Sequence, residues 1–538
     1  MKTEKIINQL VKTIMIFLFL LLTACKPESG KNDSITSSTF QFEEITIAEL
    51  QQGYNNGDYT ITEVIQHYLD RIDEIDINGP QLNSIIQINP EAMDIAKQLD
   101  QELKDGMIRG PLHGIPVILK DNIDTHDNMF TTAGSRALEG SKPLQDSFVA
   151  KKLREAGAVI LAKANLSEWA NFRGEMSSSG WSGINGQTKN PYILDRNPCG
   201  SSSGSGVAVS ANLTVIAIGT ETNGSVVCPA TANGIVGIKP TVGLVSRSGI
   251  IPISFTQDTA GPMTRTLTDA AICLGALTGI DSTDSKTLDL EHKTYKDYTQ
   301  FLKADGLKGK RIGIYKGPLG RNYKVDTIFN QAVAYIRSQG AEIFEIEKIA
   351  ESNVGGLSFQ VMLYEYKDGL NKYFKSLGPD AKIKSLEDLI AFNKTDSIEM
   401  NFYNQRYLEM AQEKEDLESD DYKKTLVEML KGSRENGIDR VMNEHNLDAI
   451  IAPTGGPAWK TDHTNGDSFH VGSSSPAARA GYPNITIPMG FIEELPVGIS
   501  FFGRAWSEPL LLEIAYSYEQ GTNHRKAPKF LEQSYGSN

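Results

Sequence analysis

The chain predicts an α/β fold: one large domain on a mixed, mostly parallel twisted sheet covered by helices on both faces. Two observations carry this. Short apolar runs bounded by Gly or Pro recur as IPVIL (115–119), AVILA (158–162), TVIAIG (214–219), GIVGI (234–238), RIGIY (311–315), AIIAP (449–453), ITIP (485–488) and GISFFG (498–503). Helix-like stretches separate many of them, and such alternation buries a sheet between helical layers. No repeat of 20–50 residues is visible. The domain is read as residues 41–530, with a charged, helix-patterned elaboration over 358–444 that would shape the substrate entrance.

The first residues read as a targeting segment. Lys2, Lys5 and Lys12 precede an apolar run, Thr13 to Leu22, too short to span a bilayer but fitting a secretory signal. Leu22-Thr23-Ala24-Cys25 resembles a bacterial lipobox. This predicts a signal peptide over 1–24, a lipid on Cys25, a polar tether over 25–40, and an exported protein anchored in the bacterial cell envelope. The body then opens with helices. Thr46-Ile47-Ala48-Glu49 and Thr60-Ile61-Thr62-Glu63 have the capping-box form, and Val64, Ile65, Tyr68, Leu69 and Ile72 come next at helical spacing.

Composition narrows the function. Of 538 residues, 40% are hydrophobic and 22% charged, enough for a sizeable core. The formal charge of −14 argues against a nucleic-acid partner. The four cysteines, Cys25, Cys199, Cys228 and Cys273, form no CxxC or Cys/His cluster, so no metal is expected.

The chemistry concentrates after Asn197. Two Gly/Ser loops, GSSSGSG (200–206) and TNGS (222–225), are separated by apolar segments, which marks backbone brought close to a ligand rather than a linker. Gly200-Ser201-Ser202-Ser203-Gly204 also matches the nucleophile elbow G-x-S-x-G, which would make Ser202 the nucleophile of an α/β-hydrolase-type esterase with His470 or His524 as base. LDRNPCG precedes it instead of a strand, so this reading ranks second. The eight histidines read as surface or packing residues. A hydrolase without His needs another base, and a buried lysine can serve. Lys120 ends IPVILK and is the first candidate; Lys163, ending AVILAK, is its rival.

HGIPVILKDN, CGSSSGSG, GTETNGS, QDTAGPM and the closing AGYPNITIPMG and LPVGISFFGR resemble, in order and spacing, the amidase signature hydrolases. The resemblance runs from about Glu49 to Glu519 and is nearest to bacterial peptide amidases. It implies hydrolysis of carboxamide C–N bonds, peptide C-terminal amides among them, with release of ammonia through an acyl-enzyme and no cofactor. Carried over, it makes Lys120 the general base, Ser201 the bridging serine after a cis peptide, and Ser225 the nucleophile. Backbone N–H groups of Thr222, Asn223, Gly224 and Ser225 would form the oxyanion hole. Asn223 stands where many members have Gly, and Asn tolerates left-handed angles. Asp195, Arg196 and Asp258 match positions that brace the loops. Cys199 and Cys228 read as two small packed residues, with a disulfide as the alternative. The substrate would be a small amide or an amidated peptide. Two other readings stand beside this one. A non-catalytic binding lipoprotein would not need all three reactive residues. The amidotransferase subunit that charges tRNA with glutamine would not carry an export signal.

Overall fold

In a computed structural model of the chain, the described residues are 40–290, 293–350 and 353–533. The chain forms two units, Met1–Glu43 and Glu44–Asn538. The predicted signal segment 1–24, Cys25 and all but the last residue of the predicted 25–40 tether lie outside the described residues. Every strand of the sheet belongs to the second unit.

Each of the eight apolar runs overlaps a strand. The strands are β1 Ile85–Ile88, β2 Pro116–Lys120, β3 Val159–Ala164, β4 Trp181–Ser182, β5 Gly186–Gln187, β6 Ile216–Glu221, β7 Val236–Lys239, β8 Thr259–Thr264, β9 Arg311–Tyr315, β10 Glu342–Ile346, β11 Ala449–Pro453, β12 Asn484–Ile492 and β13 Leu495–Phe502. Eleven of them make one sheet in the order β1-β3-β2-β6-β8-β7-β12-β13-β11-β9-β10, and β4 pairs with β5 in a separate ribbon. The sheet is mixed. Parallel pairing occupies two blocks, β3-β2-β6 and β11-β9-β10. Between them β6, β8, β7, β12, β13 and β11 run antiparallel to their neighbours. The predicted single α/β domain flanked by helices is the one observed.

Three sheet strands lie outside the apolar runs. β8 is TAGPMT, whose Gly and Pro read as a turn, yet it is buried throughout between β6 and β7. β10 is EIFEI, an edge strand with exposed glutamates. β1 is a short IIQI edge.

Both capping boxes form. Thr46 and Thr60 each accept the backbone N–H three residues on, and Glu49 and Glu63 reach back to the cap backbone. Between β10 and β11 the described chain is helical: Val354–Ser376, Leu386–Thr395, Arg406–Gln412, Asp420–Ser433 and Asp439–His445, with a π-helical turn before the last. This layer packs on Trp169 and Phe172 through Leu363, Tyr366, Phe374 and Leu408. A buried charge set also pins it. Arg173 Nη1 donates to Glu168 Oε1 at 2.7 Å and to Glu399 Oε2 at 3.0 Å, while Glu399 Oε1 accepts from Arg136 N at 2.6 Å.

The first and last parts of this unit meet at Arg525, which comes after the helix Glu508–Thr522. Its guanidinium donates to Glu44 Oε1 at 2.8 Å, Tyr192 Oη at 2.7 Å, Ser210 O at 2.8 Å and Gly234 O at 3.2 Å.

Candidate active site

Strand direction decides which lysine reaches the serine loops. β2 and β6 are parallel and in register, Leu119 opposite Ile218, so Lys120 and Thr220 end at the same carboxyl edge. Such edges are where parallel strands present side chains to ligands. Lys163 pairs opposite Leu119, whereas Lys120 pairs opposite Ala164. Directly paired residues share a face, so the two lysines point to opposite faces of the sheet.

The surroundings differ accordingly. Lys120 is fully buried, and its Nζ donates to Ser201 Oγ at 2.7 Å, Thr220 Oγ1 at 2.9 Å and Thr220 O at 3.2 Å. Burial pulls its amine down to about 7, against the raising pull of Asp258 and Glu221. A neutral amine in this range can take a proton near physiological pH. Lys163 Nζ donates to Ile123 O at 2.6 Å and Thr131 Oγ1 at 2.8 Å. Burial lowers its amine, while Asp121 and Asp124 raise it. It belongs to a separate buried charge cluster.

The Gly200–Ser201 peptide is cis, as the resemblance implied. Ser201 and Ser202 precede the helix Ser203–Ser210, and Ser225 precedes the helix Val227–Ala232. The Ser202 N–H donates to the Ser225 carbonyl at 3.1 Å, which brings the two loops together. Ser202 Oγ is spent on β6: it donates to Thr220 O and accepts from Thr220 N, each at 3.1 Å. Neither His470 nor His524 is among its hydrogen-bond partners; His470 Nε2 instead meets Ser468 Oγ at 2.9 Å.

The turn at 222–225 is held from three sides. Thr222 Oγ1 donates to Asp258 Oδ1 at 2.5 Å, and Asp258 Oδ2 accepts from Ile253 N and Ser254 N at 2.7 and 2.8 Å. Glu221 Oε2 accepts from Val226 N at 2.9 Å and Val227 N at 3.1 Å, fixing the start of the next helix. Asn223 Oδ1 accepts from Ser474 Oγ at 2.8 Å, and its Nδ2 donates to Ser475 Oγ at 3.1 Å. The left-handed position of the turn is Gly224, with φ 87°, and not Asn223. Asn223 therefore needs no special backbone tolerance, and its side chain is instead the tie to Ser474 and Ser475.

Other predicted braces fall elsewhere. Asp195 pairs with Arg196 at 3.3 Å and with Lys460 at 3.2 Å, and Arg196 forms a backbone bridge with Lys460. They fasten the approach to the serine loop onto the 460–461 segment. Cys199 and Cys228 are bonded in a disulfide, which corrects the expectation of two separate packed residues. The turn before Ser201 and the helix after Ser225 bring their Cα atoms to 6.0 Å, the separation a disulfide requires. Cys273 is free and buried.

Thr220 and Glu221 were missed as individual residues, although both lie inside GTETNGS. A cavity of about 800 Å³ opens beside them. Thr220, Thr222, Asp258, Ile250, Phe255 and Tyr373 are among its lining residues.

Residues 63–512 match the amidase family. The chain is 40% identical to a probable amidase of Arabidopsis thaliana, over 92% of this chain and 93% of the relative. It is 38% identical to a putative amidase of Arthroderma benhamiae, over 90% of this chain and 83% of that one. Among solved structures, native peptide amidase from Stenotrophomonas maltophilia superposes with a TM-score of 0.87 at 47% identity, covering 91% of this chain and 99% of that chain.

Proposed function

The chain belongs to the amidase signature family and is an amide-hydrolysing enzyme, and on that premise we propose that it cleaves peptide C-terminal carboxamides through Ser225, Ser201 and Lys120. The observation that carries the proposal is the fully buried Lys120 Nζ, 2.7 Å from Ser201 Oγ, with burial pulling its amine down to about 7. Ser225 Oγ attacks the carboxamide carbon, and its proton passes through Ser201 Oγ to Lys120. Backbone N–H groups of the 222–225 turn receive the oxyanion, each such donor being worth roughly 3 kcal/mol by removal. As the tetrahedral intermediate collapses, the proton returns through Ser201 to the leaving nitrogen and ammonia departs. Water then attacks the acyl-enzyme along the same path and frees the carboxylate. The cavity beside Thr222 supports an acyl portion with bulk and apolar surface.

Ser225→Ala should lower ammonia release from an amidated dipeptide by roughly 10⁴-fold or more, as loss of a coupled nucleophile does. A serine-directed phosphonate should label Ser225. Label on Ser202 would transfer the role to the elbow reading. Ammonia from simple amides alone, with none from amidated peptides, would reject the substrate class. The proposal includes export and a lipid anchor on Cys25, supported by the Leu22–Cys25 motif.

A further inference from the structure

We propose that the Cys199–Cys228 disulfide is a positioning device that holds Ser201 and Ser225 in register; this rests on the catalytic roles proposed above. Its place in the chain carries the inference. Cys199 lies two residues before Ser201, and Cys228 three residues after Ser225. The two serines come from loops that open different helices, so nothing in local sequence fixes their separation. Besides the covalent bond, the loops share the Ser202 N–H to Ser225 carbonyl bond, and Asn233, just past the helix that follows Ser225, donates from Nδ2 to Pro198 O at 2.9 Å.

Cys199 itself is held in an uncommon conformation. Its φ is 58°, in the left-handed region that a residue with a Cβ adopts only when its surroundings hold it there. Three constraints converge on it. Its N–H donates to Asn197 Oδ1 at 2.8 Å, its carbonyl accepts from Ser203 Oγ at 2.6 Å, and its sulfur is bonded to Cys228. Cys228 is anchored in turn, its N–H donating to Gly224 O at 2.8 Å. The bond thus runs from the residue that aims the Gly200–Ser201 peptide to the residue hydrogen-bonded across the oxyanion turn. Cutting it leaves both serines present but free to shift, and a misplacement of about 1 Å can cost roughly a hundredfold in rate. The bond is nearly covered, with Trp459 packed against it.

The test uses the full-length oxidised enzyme, an amidated dipeptide and the phosphonate probe. Tris(2-carboxyethyl)phosphine breaks the S–S bond: the two electrons and two protons go to the sulfurs, and the phosphine takes oxygen from water to become its oxide. Alkylation and peptide mapping confirm thiols at Cys199 and Cys228, apart from Cys273. We expect kcat to fall roughly tenfold or more with KM changed less than about threefold, phosphonate labelling of Ser225 to slow to the same extent, and both to return on reoxidation. Cys228→Ala, which places a good helix former in the helix Val227–Ala232, should reproduce the loss and no longer respond to the phosphine. A folded Cys228→Ala with kcat and labelling within about twofold of wild type overturns the inference. So does a loss that tracks unfolding of the whole domain by near-ultraviolet circular dichroism, since the bond is then only a stabiliser. Label on a serine other than Ser225 overturns the underlying assignment instead.

Discussion

At the scale of single residues, the proposed chemistry rests on the Lys120 amine, which burial pulls down to about 7. Among the described residues Lys120 has no carboxylate as a direct hydrogen-bond partner; its partners are one serine and one threonine. Its amine should therefore protonate as pH falls through about 7, and kcat should decline on that acid side and stay level just above it. Lys120→Arg should not restore the rate, because a guanidinium stays charged across this range. Turnover of Lys120→Arg near wild type, or an acid limb unchanged in Lys120→Ala, would remove Lys120 from the base role. In the sequence Lys120 and Lys163 each end an apolar run, and only Lys120 lies within HGIPVILKDN, where Asp121 and Asn122 come next. The physical discriminator is the face each lysine takes, which depends on a strand register that no single run of residues contains.

At the scale of elements, the helical layer between β10 and β11 is fastened by charge as well as by its core. Glu399→Ala should leave Arg173 buried with only Glu168 to pair with and should lower unfolding stability by roughly 3 kcal/mol. A shift in urea midpoint at constant slope would measure it, and an unchanged midpoint would contradict it. This scale also shows what was legible beforehand. Strands buried on both faces, such as AVILA and GISFFG, announce themselves by continuous apolar residues. TAGPMT and EIFEI do not: one is buried while carrying Gly and Pro, and the other is an edge strand whose apolar run is interrupted by exposed glutamates. Both Gly/Ser loops were legible because few other contexts place such runs between core segments. The sulfur pairing was not, since it depends on a Cα separation between a turn and a helix 29 residues apart in sequence.

At the scale of the whole molecule, the lipid anchor proposed from Leu22–Cys25 makes an independent claim. Labelled palmitate should enter the wild-type protein and be absent from Cys25→Ala, and a chain lacking residues 1–25 should remain in the aqueous phase of a detergent partition with full amide hydrolysis. Unlabelled, soluble wild-type protein would reduce the motif to ordinary secretion. Arg525 has a different long-range effect. The carbonyls that accept from it, at Ser210 and Gly234, terminate or come just after the helices Ser203–Ser210 and Val227–Ala232, whose opposite ends carry Ser201 and Ser225. A cation there suits the negative ends of both helices. Arg525→Ala touches none of the proposed catalytic groups, yet deuterium should exchange faster into the amides of these two helices while the rest of the sheet stays protected. Uniform protection in that variant would deny the link. The fraying rate of the two serine loops then answers to a side chain beyond the last helix of the fold, so a change there would loosen the candidate site without entering it.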